Sequence, residues 1–420
     1  MFRMNGLFGQ MIQSYSLLRF ILTVFLVFPT MVHSSFIEST MGTAVVNDAT
    51  ASYHNPAALS LLKSSQIIAI GSIANLNTHF VGQSTQTLSG FTLYGNSDNS
   101  TDYYLPSLYL GIPVNSRLTA GFALLSNFFN RELGDHSVLR YAQSNNSLDN
   151  VDFVYSLGFK LNQLISLGAG VNYSKAKFNF EPVSGVPNLG IPDSQSKNQS
   201  KGDSWGGDVG ILLTPSTSTT LGFNYRSVNT YLQNGTSVFE GNPPITANNY
   251  SFKYWTPARS VFSINQFITP KLGAIGTVQY IQWSIFKTVT NYNVATQIGA
   301  TPLIVPIVTV PHYLHDSWIL TLGGHYRSTP KCIVRVAGTY IQSPGNGNYQ
   351  IISGDSIIHG GSIGYDLTKN LTVDASYAHA YMDSASIHTI SGRTQTHGIN
   401  KASRDSISLK LTLKAADIRN

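Results

Sequence analysis

The chain has 420 residues, and only 11% of them are charged, against about a quarter in ordinary globular proteins. Mean hydropathy is +0.00, which excludes a disordered chain, and no apolar run after residue 34 reaches the ~20 residues of a membrane-spanning helix. The net charge of +6 is spread along the chain without a basic block, which argues against nucleic-acid binding, and the single cysteine, Cys332, cannot form an internal disulfide.

The N-terminus has the pattern of a secretory signal peptide. Arg3 and Arg19 precede an apolar core at residues 20–28, and positions 32–34 fit a cleavage site. The core is too short for a transmembrane helix, although an uncleaved anchor is the alternative. We therefore predict a signal peptide over residues 1–34 and an exported mature chain.

After residue 34 the pattern changes twice. Residues 35–64 are small and mixed and do not alternate, whereas residues 65–414 show the period of two that is typical of strands. In residues 165–174, for example, apolar side chains alternate with Ser, Gly and Asn. Such polar faces favour the lumen of a membrane barrel over the core of a soluble sandwich, which would also alternate.

Six tight turns alternate with long connections, as in outer-membrane barrels. One strand at Gln66–Ile73 precedes the first turn, and one at Ser403–Lys414 follows the last. The count predicts an all-β fold, a 14-stranded antiparallel transmembrane β-barrel over residues 65–414, with twelve or sixteen strands as alternatives. The turns are Pro113–Arg117, Asn162–Leu164, Thr214–Ser218, Thr269–Lys271, Ser328–Lys331 and Asp366–Asn370.

The barrel leads to two further expectations. Trp205, Trp283 and Trp318 stand where strands meet long loops, so we expect them in an aromatic girdle at the outer interface. A lumen of this width needs filling or passes water, so residues 35–64 are interpreted as an N-terminal hatch, or plug. Residues 415–420 are left as a C-terminal tail.

The predicted hatch carries a recognisable motif. Between Gly42 and Leu59 a glycine-led start is followed by Asp48-Ala49 and then by Asn55-Pro56-Ala57. This order resembles the hatch of the outer-membrane long-chain fatty-acid transporter family (FadL/TodX-like). Three downstream stretches resemble strands of the same family, so that the resemblance covers nearly all of the mature chain: Leu167–Tyr173, Ser204–Leu212 and Leu221–Ser227.

The resemblance implies a monomeric passive transporter of hydrophobic small molecules, such as long-chain fatty acids or aromatic hydrocarbons, embedded in outer-membrane lipid. Cargo would leave sideways through a gap in the wall near the third strand after the hatch shifts. Asn55, Pro56 and Ala57 would lie against that gap, with Asp48 as a further hatch residue. Proline fixes its own backbone and biases Asn55 towards an extended shape, and the Asn55 amide can bind exposed wall groups.

The resemblance also places basic residues for the cargo's carboxylate near the tops of the fifth and tenth strands. Here those stretches offer Lys175, Lys177 and Phe180, and then His315, as candidate ligand-binding residues. No arginine stands at the fifth-strand position, so carboxylate recognition is left open. The apolar stretch Ile298–Pro311 is expected to be an outer loop that either captures ligand or packs over the mouth.

Other classes of function find less support in the sequence. Gly360-Gly361-Ser362-Ile363-Gly364 contains G-x-S-x-G, but it lies in an alternating strand without the following helix that a nucleophile elbow needs. No metal-site spacing and no phosphate-binding loop is present, so we predict neither an enzyme nor a cofactor. The alternatives are a general porin for hydrophilic solutes and, in a third class, an outer-membrane lipid hydrolase or adhesin.

Overall fold

The computed structural model describes residues 36–131, 137–143, 145–351, 353–389 and 394–415. The predicted signal peptide therefore lies outside the described residues, as does the predicted tail beyond Ala415. Among the described residues, no helix has the length and apolarity to cross a membrane.

Twenty strand segments make up most of the described chain. In order they are β1 Gln66–Gln86, β2 Thr92–Tyr104, β3 Ser107–Pro113, β4 Leu118–Arg131, β5 Asn145–Lys160, β6 Ile165–Glu181, β7 Val183–Val186, β8 Ile191–Ser216, β9 Thr219–Arg226, β10 Asn229–Phe239, β11 Ile245–Thr256, β12 Arg259–Phe267, β13 Leu272–Ile281, β14 Thr288–Ile298, β15 Thr301–Pro311, β16 Ser317–Thr329, β17 Cys332–Ile341, β18 Ser356–Asp366, β19 Leu371–His388 and β20 Thr394–Lys414.

The described helices are short. They are α1 Phe36–Met41 and α2 Ala51–His54, with 3₁₀ helices at Thr43–Val45, Pro56–Leu61, Pro187–Leu189 and Trp283–Ile285.

The segments form a closed ring of fourteen antiparallel barrel strands, which confirms the predicted fold class. Five barrel strands are interrupted once, so each consists of two consecutive segments: β2–β3, β9–β10, β11–β12, β13–β14 and β15–β16. Counted in chain order, these are barrel strands 2, 7, 8, 9 and 10. The uninterrupted ones are β1 (barrel strand 1), β4, β5, β6 and β8 (3 to 6) and β17 to β20 (11 to 14). The short β7 pairs only with the outer end of β8. The ring closes where β1 pairs with β20 along its full length, from Gln66 opposite Lys414 to Gln86 opposite Thr394.

All six predicted turns join neighbouring barrel strands. They follow β3, β5, β8, β12, β16 and β18, and each connects a pair of antiparallel strands. Side-chain burial follows the predicted alternation with apolar groups outside: on β6, Leu167 and Val171 are exposed, whereas Asn172 and Ser174 are buried. Exposed apolar and buried polar side chains are what a barrel in lipid requires.

Two expectations about aromatic and apolar residues are wrong. Trp205 and Trp318 lie on the outer face, each against a strand tyrosine, but Trp283 is only 4% exposed and faces the interior. It begins the 3₁₀ helix between β13 and β14, where the strand period that gave its orientation is broken. The stretch Ile298–Pro311 is not a loop, because Thr301–Pro311 is strand β15, paired with β14.

Candidate functional site

The N-terminal segment, residues 36–62, contacts inward-facing side chains on different sides of the ring. Thr40 Oγ1 lies 3.1 Å from Ser362 Oγ on β18, and the Ala44 amide donates to Ser263 Oγ on β12 at 3.0 Å. Ser60 Oγ donates to Ser166 Oγ on β6 at 2.8 Å. Hydrogen bonds to barrel strands 12, 8 and 5 therefore hold one short segment from several directions.

Asn55 organises the centre of this segment. Its backbone is extended, with φ −162° and ψ 102°, and Pro56 then begins the 3₁₀ helix Pro56–Leu61. Its side-chain oxygen accepts a hydrogen bond from the Ala57 amide at 3.1 Å. Its Nδ2 donates to the carbonyls of Ala44 at 2.7 Å and of Ile211 on β8 at 3.2 Å. The amide therefore ties the motif both to the segment and to the wall.

Three glycines form the recess that receives this motif. Gly158, Gly168 and Gly210 lie directly opposite one another on β5, β6 and β8. A Cβ on Gly168 would collide with the Ala57 amide nitrogen, and one on Gly210 would collide with the Asn55 side chain. The backbone ladder is continuous here, so the motif lies against a closed part of the wall. The expectation that it lies against a gap near the third strand is wrong, since the recess is formed by barrel strands 4 to 6.

A buried ion cluster fixes the other side of the segment. Lys410 on β20 is fully buried, and its Nζ lies 2.6 Å from Asp48 Oδ2 and 3.9 Å from Glu38 Oε1. The Thr50 amide donates to Asp48 Oδ1 at 3.0 Å. Burial alone would raise the pKa of Asp48, but the charge and hydrogen bond of Lys410 outweigh it and hold that pKa below its usual value.

A second feature is a group of rings inside the outer half of the barrel, which we call the interior aromatic cluster. Its rings are packed at centroid distances of 4.7 to 6.0 Å. Buried valines of β14 and β15, including Val289, Val305 and Val308, pack against them. The rings belong to Phe178, Phe180, Tyr231, Tyr250, Phe252, Tyr254, Trp283 and Phe286.

The predicted ligand-binding residues are separated by the structure. Phe180 is part of the interior aromatic cluster and lies 5.7 Å from Phe178. Lys175 and Lys177 are exposed on the outer face of the same strand, and Lys175 Nζ lies 5.6 Å from the Tyr173 ring. Because side chains alternate along β6, an inward Phe180 forces both lysines outward, away from the lumen.

His315 is also directed away from the interior. Its side chain is exposed, and its backbone amide donates to Pro344 O at 3.1 Å. The buried histidine in this stretch is His312, whose Nδ1 lies 2.7 Å from Gln350 Nε2. Residues 312–316 interrupt the tenth barrel strand between β15 and β16, so the strand period does not predict which histidine faces inward.

The residues that sequence reasoning missed had recognisable patterns. Gly158 and Gly168 stand on the small, polar faces of two successive strands, where a row of glycines predicts a close approach. Lys410 alternates with leucines and therefore points into the lumen, where a buried ammonium requires a carboxylate. What the sequence did not reveal was which carboxylate, since Asp48 is 362 positions away.

Ser362 of the G-x-S-x-G stretch lies within the uninterrupted strand β18, not on a strand-to-helix turn. Its Oγ contacts Thr40 of the N-terminal segment. Among the described residues, no group of three or more His, Cys, Asp or Glu side chains is arranged to hold a metal ion.

A family model described as outer membrane protein transport protein (OMPP1/FadL/TodX) matches residues 39–415. The chain belongs to this family. It is therefore an outer-membrane β-barrel of the FadL/TodX type, as the resemblance of its N-terminal motif predicted. Outer membrane protein P1 of Haemophilus influenzae is 23% identical over 389 residues, which cover 82% of each chain.

Solved structures support the fold. A FadL homologue of Pseudomonas aeruginosa superposes with a TM-score of 0.75 at 18% identity, covering 88% of this chain and 95% of the other. The toluene transporter TodX of Pseudomonas putida gives a TM-score of 0.65 at 15% identity, with 90% and 96% covered. The toluene transporter TbuX of Ralstonia pickettii gives 0.62 at 15% identity, with 88% and 94% covered.

The glycine recess generates a first prediction. Gly210→Val should displace Asn55 and raise ion conductance through the purified protein in planar bilayers, because overpacking of this kind destabilises by roughly 1–3 kcal/mol. Gly71→Val is the matched control, since Gly71 faces outward with open space around it. Equal conductance of the two variants would show that the recess does not hold the segment.

The Asp48–Lys410 pair leads to a second prediction, about the pH dependence of the N-terminal segment. Because the pKa of Asp48 in the folded chain lies below its usual 3.8, the pair stabilises the segment above that pH and loses this contribution as the pH falls below it. Hydrogen exchange of residues 42–62, corrected for intrinsic rates, should accelerate in acid. Asp48→Asn should exchange faster at neutral pH and lack the acid step, while Asp149→Asn, on the exposed face of β5, should behave as wild type. An unchanged acid step in Asp48→Asn contradicts this assignment.

Proposed function

We propose that this barrel passively transports hydrophobic small molecules across the outer membrane. The observation that carries the proposal is the interior aromatic cluster, which places closely packed apolar rings inside a barrel in which many other inward side chains are polar. An apolar molecule gains free energy by leaving water for such a surface, whereas a hydrophilic solute does not. A general porin passes hydrophilic solutes, which gain nothing from apolar rings inside the lumen.

The N-terminal segment supports the same function as a hatch. Its anchors are the Asn55 amide, the Asp48–Lys410 pair and the hydroxyl contacts with the wall described above, so a shift of the segment exchanges a limited set of polar contacts. We propose that Asn55, Pro56, Ala57 and Asp48 gate the lumen in this way. The closed ring leaves no unpaired edge for a second copy, which favours a monomer.

The cargo class extends from long-chain fatty acids to aromatic hydrocarbons. TodX of Pseudomonas putida and TbuX of Ralstonia pickettii are toluene transporters, and the Pseudomonas aeruginosa relative is a FadL homologue. Offset and edge-on ring packing, such as that between Phe178 and Tyr254 at 4.7 Å, suits both alkyl chains and small aromatic rings. We propose that the same cluster receives either kind of molecule.

We further propose that cargo leaves sideways at the second barrel strand. Leu105 and Pro106 interrupt it between β2 and β3, and Pro106 lacks an amide proton to donate to the ladder. Inside this point lie the buried side chains of Leu105 and Tyr103, while Pro106 is exposed. An apolar molecule that passes here moves from an apolar interior directly towards lipid.

Uptake measurements test the apolar path. In cells that lack the native protein, Phe178→Asn should reduce uptake of radiolabelled palmitate or toluene on the order of tenfold, because an apolar contact of this size contributes about 1.5 kcal/mol or more. Lys177→Asn is the control on the opposite face of the same strand and should leave uptake unchanged. Unaltered uptake in Phe178→Asn, or a large steady conductance of the wild-type protein, would favour a porin instead.

A cross-link tests the lateral exit. Pro106 and Ser126 face each other across the interruption, with the Ser126 amide donating to Pro106 O at 3.0 Å. In a Cys332→Ser background, oxidation of Pro106→Cys with Ser126→Cys should abolish uptake, and reduction should restore it. Leu320→Cys with Tyr340→Cys, a directly opposed pair in an uninterrupted part of the wall, is the control and should have no effect. Full uptake by the oxidised first pair excludes this exit.

A further inference from the structure

Two buried arginines face each other inside the barrel. Arg226 ends β9, Arg259 begins β12, and the two are direct cross-strand partners. They are only 9% and 7% exposed. Like charges directly opposite one another destabilise a sheet, and a buried guanidinium requires a partner of opposite charge. The pair is therefore unfavourable unless an anion lies close to it.

The protein supplies that partner to one arginine and not to the other. Arg226 Nη2 donates to the Tyr53 carbonyl at 2.9 Å and lies 3.7 Å from Asp208 Oδ1. Arg259 forms no ion pair with any residue that the structure describes, and its buried Nε and Nη2 atoms have no hydrogen-bond partner there. A guanidinium with two unused donors on one edge matches the two oxygens of a carboxylate.

The surrounding titratable groups do not neutralise Arg259. Asp208, on the adjacent strand β8, is the direct cross-strand partner of Arg226 and forms its ion pair with that residue, although its charge acts on both arginines. Asp152 lies further round the wall, on β5, and acts on Arg226. His54 of the N-terminal segment lies on the other side, and burial together with the charges of Arg259 and Arg226 lowers its pKa well below the usual value. The histidine is thus neutral at physiological pH and leaves the cationic field at Arg259 intact.

The arginines also lie next to the interior aromatic cluster. Barrel strands 7 and 8 are interrupted immediately beyond them, and Tyr231 and Tyr254 of the cluster follow on the far sides of the two interruptions. Arg259 is the direct cross-strand partner of Ile281, which packs in the same cluster. A buried cationic site therefore adjoins a buried apolar surface.

We propose that Arg259, assisted by Arg226, binds the anionic head group of an amphiphilic cargo whose apolar tail lies in the interior aromatic cluster. The class of cargo is a long-chain carboxylate. This inference rests on the proposed transport function and goes further by assigning the head-group site to barrel strands 7 and 8. Tyr53 lies against both arginines, its ring 3.9 Å from Arg226 Cζ and 5.6 Å from Arg259 Cζ, so a bound head group contacts the N-terminal segment.

The test compares two probes with the same tail. Binding of palmitate and of hexadecanol to the purified full chain is measured in one detergent, for wild type and for Arg259→Gln. We expect the variant to weaken palmitate binding about ten- to hundredfold and to leave hexadecanol binding unchanged, since only palmitate forms charge-assisted hydrogen bonds. Arg259→Lys should retain part of the preference for palmitate.

Arg335→Gln is the matched control, because Arg335 is an inward arginine that already has its own carboxylate, Asp374, at 2.9 Å. It should leave both affinities unchanged, and heat-modifiable migration in SDS gels verifies that each variant is folded. Undiminished palmitate binding by folded Arg259→Gln overturns the head-group site and means that water alone satisfies Arg259. If wild type binds neither probe, the transport function itself fails.

Discussion

Closure of the ring between β1 and β20 is the constraint on which the rest of the structure depends. Hydrocarbon offers no hydrogen bonds, so a sheet can cross it only if no strand edge is left unpaired. The ladder from Gln66–Lys414 to Gln86–Thr394 removes that edge. Once the ring is closed, alternation assigns every side chain to lipid or to lumen: Ile73 faces out opposite Ile407, while Ser72 and Ser408 bond to each other inside at 2.8 Å. Membrane insertion and the polar lumen are thus two consequences of one pairing.

The lumen of a fourteen-stranded barrel is wide enough to need filling, and different parts of the chain fill it at its two ends. Towards the short turns, glycines on barrel strands 4 to 6 let the backbone of the N-terminal segment approach the wall, and Lys410 binds it from the opposite side. Towards the long connections, barrel strands 7 to 10 are all interrupted, and large aromatic side chains occupy the interior. The interruptions change the direction of side chains without opening the ring, so the lumen changes from polar to apolar along its axis.

Sequence reasoning succeeded where the strand period is unbroken. It predicted fourteen strands, all six tight turns and the facing of residues 165–174 on β6, because period two and turn residues are local properties. Further along the same strand it was wrong about Lys175 and Lys177, which the period places on the outer face. It failed at the interruptions, where local phase is lost: Trp283 was assigned to the outer interface, and His315 was chosen although His312 is the buried histidine. The Asn55 motif could be recognised but not located, since its neighbours Gly168 and Gly210 are more than a hundred positions away and no local rule connects them. The partners of charged side chains inside the barrel could not be predicted either, because Lys410 and Asp48 come together only once the ring is closed.

Arg226 and Arg259 lie where the two regions of the lumen meet. They stand at the boundary between the N-terminal segment and the interior aromatic cluster, since Tyr53 lies against both of them and Ile281 lies opposite Arg259. The Tyr53 carbonyl accepts a hydrogen bond from Arg226, so one contact that retains the segment is made by the group an incoming anion would engage. If the segment gates the lumen as proposed, an anion that binds Arg259 would compete with the Tyr53 carbonyl for the positive charge of the arginine pair, and its binding free energy would be available to shift the segment. A neutral hydrocarbon gains only the apolar contacts of the cluster, which lie on the far side of the interruptions. We therefore propose that, for a carboxylate cargo, the charge of the head group couples occupancy of the lumen to a shift of the segment, whereas an uncharged cargo acts through apolar contacts alone.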